Sequence, residues 1–295
     1  MAKPEGDKMK QIQRVVRNVH PHWVGDGFPV RSLFSYGEDA AEVSPFLLLD
    51  YGGPHEFAPT NRQLGVGEHP HCGFETVTIV YEGSLEHRDS TGSHGKIGPG
   101  DVQWMTAASG VVHAEFHSRE FARTGGHFEM VQLWVNLPAR EKMSTPRYQE
   151  ILDRQIPRVN LDRGAGTVRV IAGEWAGTAG PARTVTPLCV FDLRLNTGHD
   201  ITAPAPDGHT AVLLVQHGRL TVNGQSLAAG ELAILERLGG DVSLHCDDDA
   251  MVLMLTGEPI YEPVVGQGPF VMNTQEEIQQ AMHDYQSGQL GQLTA

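Results

Sequence analysis

Short apolar or alternating runs recur along the chain at 47–51 (LLLDY), 75–81 (ETVTIVY), 101–105 (DVQWM), 111–117 (VVHAEFH) and 128–135 (FEMVQLWV), punctuated by Gly, Pro, Asp and Ser. Runs this short, with side chains alternating in polarity and turn residues between them, predict strands of one β domain. After Leu137-Pro138 comes a polar stretch of helix-forming residues (AREKMSTPRYQEI). A second set of runs follows at 167–172, 189–195, 211–216, 219–222, 232–236, 241–245 and 251–255. The expected boundary lies between about 140 and 165, which divides the chain into domains 1–145 and 146–295.

The two sets look like copies. TVTIVYEGSLEHRDSTGSHGKIGPGDVQWM (76–105) overlays TAVLLVQHGRLTVNGQSLAAGELAIL (210–235) when Gly83 is set on Gly218 and Gly100 on Gly230. In each, an apolar strand meets a glycine turn, a second strand follows, and a Gly-Asp/Glu corner opens a third. Internal duplication then predicts an all-β chain of two stacked β-barrel or jelly-roll domains. The one helix that stands out is terminal: Thr274 to Glu277 reads as a capping box and Gly288 as the stop. Packing across a barrel is its expected role.

Composition narrows the class. Hydrophobic residues at 40% suffice for a core and charged residues at 20% are too few for disorder, while 34 Gly and 18 Pro suit turn-rich β structure. Against 36 acidic side chains stand 22 basic ones, a net charge of −14 that gives no long-range attraction to nucleic acid. Cys72, Cys189 and Cys246 are odd in number and far apart, neither a disulfide framework nor a metal clip, and they fit a reducing cytoplasm. The basic N-terminus lacks an apolar signal core, and the longest apolar run, 250–255, falls far short of a membrane span.

The chemistry concentrates in His69-Pro-His71 and His113-Ala-Glu115. Residues two apart on a strand share a face, so each pair can point inward and three imidazoles and a carboxylate can converge. An isolated H-x-H is commonly a solvated surface feature. Two pairs of equal parity in one β domain, preceded by Gly67 and Gly110, point to a metal. Such donors suit Fe(II), Mn, Co, Ni, Cu or Zn in an open, exchangeable site. Glu75 shares parity with His69 and His71 but is expected to be a supporting carboxylate, and His117 a barrel-mouth or surface histidine. The Cys72 sulfur is expected to point away from the metal, and Phe74, Trp104 and Trp134 to serve the core. In the second copy the motif positions fall near Pro204, Pro206, Ser243 and His245, so that barrel is expected to lack a site.

The segments PFLLLDYGGP (45–54), HPHCGFETVTIVYEGSLEHRDS (69–90), GDVQWMTAASGVVHAE (100–115) and LWVNLPAREKM (133–143) resemble the pirin family of the cupin superfamily, over essentially the whole chain. The resemblance implies a bicupin whose N-terminal barrel holds iron, most naturally Fe(II), on His69, His71, His113 and Glu115. It also implies a flavonol 2,3-dioxygenase activity of the quercetinase type. A flavonol or catechol would meet dioxygen there with loss of carbon monoxide, and Glu115 would take the substrate's proton. The other function the resemblance implies is a redox-responsive regulator that binds a protein partner without turnover. Neither direct nucleic-acid binding nor a membrane is expected.

Overall fold

The computed structural model describes residues 9–293. They form two compact units. The first comprises the described residues up to Val19, Glu42–Pro45 and Arg154–Pro259; the second comprises His20–Ala41, Phe46–Asp153 and 260–293. The chain passes between units at Asp153/Arg154, and its ends are exchanged. The initial strand Ile12–Val16 pairs with Leu232–Leu235, and the terminal segment returns to the unit that contains the His motifs.

That histidine-rich unit is built on two larger antiparallel sheets, with Val265–Gln267 and Phe270–Met272 as a separate two-stranded pair. One runs Gly65–His71, Val111–His117, Leu85–Asp89, His94–Ile97. The other has seven strands, with Phe74–Glu82 between Val102–Thr106 and Gly126–Asn136. The remaining unit is organised on a nine-stranded sheet around Thr210–Val222 and Val242–Gly257. Its interior is a continuous apolar cluster that includes Val168, Phe191, Leu213, Ala233, Leu244 and Met254.

The expected runs are all strands, with two mergers. Runs 211–216 and 219–222 are one strand, because the chain stays paired through a bulge around Gly218. There φ is +78° and a Cβ would lie 2.2 Å from the Asp249 carbonyl oxygen, so only glycine fits. Runs 241–245 and 251–255 are likewise one strand, Val242–Gly257. The polar stretch after Pro138 keeps only a single helical turn, Ala139–Lys142, before Arg147–Ile151 pairs with Val102–Thr106. Pro146 holds the preceding residue extended, which favours the strand.

The terminal helix Gln275–Gln286 has its capping box: the Glu277 amide donates to Thr274 Oγ1 at 3.2 Å and the Glu277 carboxylate accepts from the Thr274 amide at 2.9 Å. Ile278 and Ala281 bury against Cys72, Val112, Phe270 and Met272. Two further short helices, Tyr36–Val43 and Arg119–Thr124, have too few turns to leave a periodic apolar pattern in the sequence. Among the described residues no helix is long and apolar enough to cross a membrane.

Candidate metal centre

The strand Val111–His117 carries the second motif and is flanked by strands that complete the cluster. On one side His113 lies opposite His69 and Val111 opposite His71; on the other, His113 lies opposite Asp89 and Glu115 opposite His87. A bulge between His113 and Glu115 interrupts the first pairing. The His113 ring centroid is 4.2 Å from that of His69 and 4.7 Å from that of His71. One ligand atom from each of His69, His71 and His113 falls within 4.8 Å of the others. His87, His113 and Glu115 form a second triplet of the same kind. The three expected imidazoles therefore come together directly, and Glu115 joins them through His113.

His71 and His113 are buried and His69 half-buried. Burial, followed by the neighbouring histidines, holds the His71 and His113 imidazoles well below their ordinary proton affinity, so both are neutral near pH 7. His69 Nδ1 sits 2.8 Å from the Gly67 carbonyl, which can only accept; Nδ1 carries the proton and Nε2 keeps its lone pair. His71 Nδ1 and His113 Nε2 are buried with no hydrogen-bond partner among the described residues. Leaving such nitrogens unpartnered costs about 1–3 kcal/mol each, a penalty that coordination removes. Neutral imidazoles beside a carboxylate and no thiolate fit a divalent first-row metal.

Glu115 is held by Gln103, whose Nε2 donates to Oε1 at 2.7 Å. The Thr78 hydroxyl, 3.4 Å from the same oxygen, donates to Gln132 Oε1 at 2.7 Å. A cavity of about 320 Å³ opens onto the cluster, bordered by His69, His71 and Glu115 and walled by Phe28, Val30, Met130 and Trp134.

Two expectations, for Trp134 and His117, need revision. Trp134, assigned to the core, lines this cavity with its ring 5.3 Å from that of His71. His117 is neither at the mouth nor on the surface: it is 1% exposed, its Nε2 donates to the Gly27 carbonyl at 2.9 Å, and Phe28, Phe57, Phe121 and Phe128 surround its ring. Glu75 faces Thr106, which donates to it at 2.7 Å, and burial pushes its carboxyl up to about 7. Cys72 is buried with its sulfur 3.4 Å from the Ala108 carbonyl, and burial raises its thiol to about 11. In the other unit His245 lies outside, 2.7 Å from Asp200, and among the described residues neither metal-competent triplet falls there.

His87 was missed. Its signal was available in His87-Arg-Asp89, a pair with the same two-residue spacing as the motifs that were read.

Residues 27–135 match the family described as Pirin, and 190–291 match the Pirin C-terminal cupin domain. A Pseudomonas aeruginosa protein provisionally named quercetin 2,3-dioxygenase is 53% identical over 280 residues, covering 95% of this chain and 98% of its own. Human pirin is 36% identical over 291 residues, 96% of each chain. The crystal structure of quercetin 2,3-dioxygenase from Acinetobacter baumannii has a TM-score of 0.94 at 51% identity, covering 97% of this chain and 100% of that one.

Proposed function

Because the chain belongs to the pirin family, we propose that it is a metal-dependent oxidoreductase of the quercetin 2,3-dioxygenase type, acting on a flavonol or catechol with dioxygen. The observation that carries this reading is the cavity of about 320 Å³ that places an apolar, aromatic-walled slot directly against His69, His71 and Glu115. Its size is at the small end of ordinary ligand pockets and suits a planar polyphenol. His69, His71, His113 and Glu115 would hold the ion, most naturally Fe(II), with Mn, Co, Ni, Cu and Zn as other candidates for the same donors. Bound there, the metal would supply Lewis acidity toward a substrate oxygen and a route for electrons to dioxygen.

The rest is the work of the protein. Glu115 accepts the proton of the substrate hydroxyl, and Gln103, bonded to Oε1, keeps that carboxylate turned toward the cavity. Phe28, Val30 and Met130 exclude water and Trp134 offers its ring to the substrate. The free thiols Cys72, Cys189 and Cys246 suit a reducing cytoplasm.

Oxygen uptake decides between turnover and partner-binding regulation. Iron-loaded protein given a flavonol is expected to consume oxygen in step with flavonol loss and carbon monoxide release. If catechols and flavonols give a visible band that persists in air with no oxygen uptake, the enzyme reading falls and a regulator that binds a protein partner replaces it.

A further inference from the structure

We propose that His87 and Asp89 are positioning residues that determine which nitrogen of His113 faces the metal, an inference that rests on the metal-centre reading above. Asp89 is anchored on one side. Its Oδ1 accepts from the Thr91 amide at 2.8 Å, the Thr91 hydroxyl at 2.6 Å and the Ser93 amide at 3.1 Å. Its Oδ2 lies 3.1 Å from His87 Nε2. A carboxylate has no proton to give, so His87 Nε2 donates to it; the Gln103 amide NH2, 3.3 Å from His87 Nδ1, can only donate, so that nitrogen presents a lone pair.

That lone pair faces two groups, His113 Nδ1 at 3.4 Å and Gln103 Nε2 at 3.3 Å. Opposed lone pairs would repel, so His113 Nδ1 must be the donor, and the lone pair of His113 is left on Nε2, the buried nitrogen with no partner. The second proton of the Gln103 amide goes to Glu115 Oε1, and Tyr148 fixes the orientation of that amide by donating to Gln103 Oε1 at 3.2 Å. The Tyr148 ring also stacks on His87, centroids 4.7 Å apart and planes within 15°. The side chains of His87 and Asp89 are each 1% exposed, so water does not substitute for either. One relay therefore orients both His113 and Glu115, as a carboxylate behind an imidazole does in many metal sites.

Asp89→Asn tests the relay with almost no change of shape. The asparagine oxygen can still accept from Thr91 and Ser93, which turns its NH2 toward His87 Nε2. His87 must then accept there and carry its proton on Nδ1, against the donors of His113 and Gln103. With Zn2+ alone as the probe, chelator competition is expected to show affinity reduced roughly 10–100-fold. Imidazole 15N spectra of the metal-free wild type are expected to show His113 protonated on Nδ1 and His87 on Nε2. Wild-type affinity in Asp89→Asn overturns the proposal, as does His113 protonated on Nε2; the latter decides the question even if the variant does not fold. Zn2+ binding that survives His71→Ala would instead defeat the metal centre itself.

Discussion

The two units share a hairpin grammar and differ in what they put inside it. Gly83 and Gly218 have φ of +82° and +78°, and Gly100 and Gly230 have +88° and +82°. The corner bonds also repeat. Gly100 donates to the Val80 carbonyl and Gly230 to that of Val215, both at 2.8 Å, while Val80 and Val215 donate back to Asp101 and Glu231. Where the histidine-rich unit has Thr78 and Gln103, the same overlay puts Leu213 and Ala233, both in the apolar cluster of the other unit. Where the motif strand of one presents His113 and Glu115, the inward positions of its counterpart go to Val242, Leu244 and Cys246, with Ser243 exposed and His245 bonded to Asp200.

One frame can thus be filled or hollowed. Apolar interior residues gain roughly 25 cal/mol for each Å² buried and close on themselves. Polar ones must find partners, and the Glu115, Gln103, Thr78 and Gln132 network supplies them while leaving room for a cavity.

The largest expected effect separates the units outright. His113→Ala should lose nearly all bound metal, whereas His245→Ala should retain about one equivalent per chain by elemental analysis; two equivalents in the wild type, or loss through His245 alone, would break the contrast. Next comes Glu115→Gln, which keeps an oxygen donor but removes the basic site. Its metal content should fall only in part while flavonol turnover drops at least about tenfold, the low side of what a positioned base contributes. Undiminished turnover in the metal-loaded variant would remove Glu115 from proton transfer.

The smallest effect is on stability. Glu75 corresponds to Thr210 in the overlay, whose hydroxyl donates to the Ser44 carbonyl at 2.5 Å and does not titrate near neutrality. Burial raises the Glu75 carboxyl from 4.5 to about 7. A group whose pKa is raised on folding contributes its full stability below the unfolded value and loses it as pH climbs through the folded one. Unfolding of the metal-free protein should therefore become easier between about 4.5 and 7, by up to about 3 kcal/mol from this group. Glu75→Gln should flatten that slope and Thr210→Val should not, which denaturant melts across the range can check.

Periodicity and turn chemistry are local, and they determined what local rules can determine. The strands, the glycine corners and the shared face within each pair, His69 with His71 and His113 with Glu115, follow from a two-residue repeat and from positive φ at Gly83, Gly100, Gly218 and Gly230. The same reasoning found the Thr274 cap, because a capping box closes within one turn.

Register and packing decided the rest. His87 reaches the centre only because Leu85–Asp89 pairs with Glu115 opposite His87, and Trp134 borders the cavity only because its strand faces His71 across the barrel. His117 has the parity of a ligand, yet the phenylalanines from four other segments enclose it. The exchanged chain ends depend on Ile12–Val16 finding Leu232–Leu235 and on the terminal helix finding Cys72 and Val112, contacts between residues far apart in the chain. Which surfaces meet depends on the whole folded arrangement of the strands, and no window along the chain contains that information.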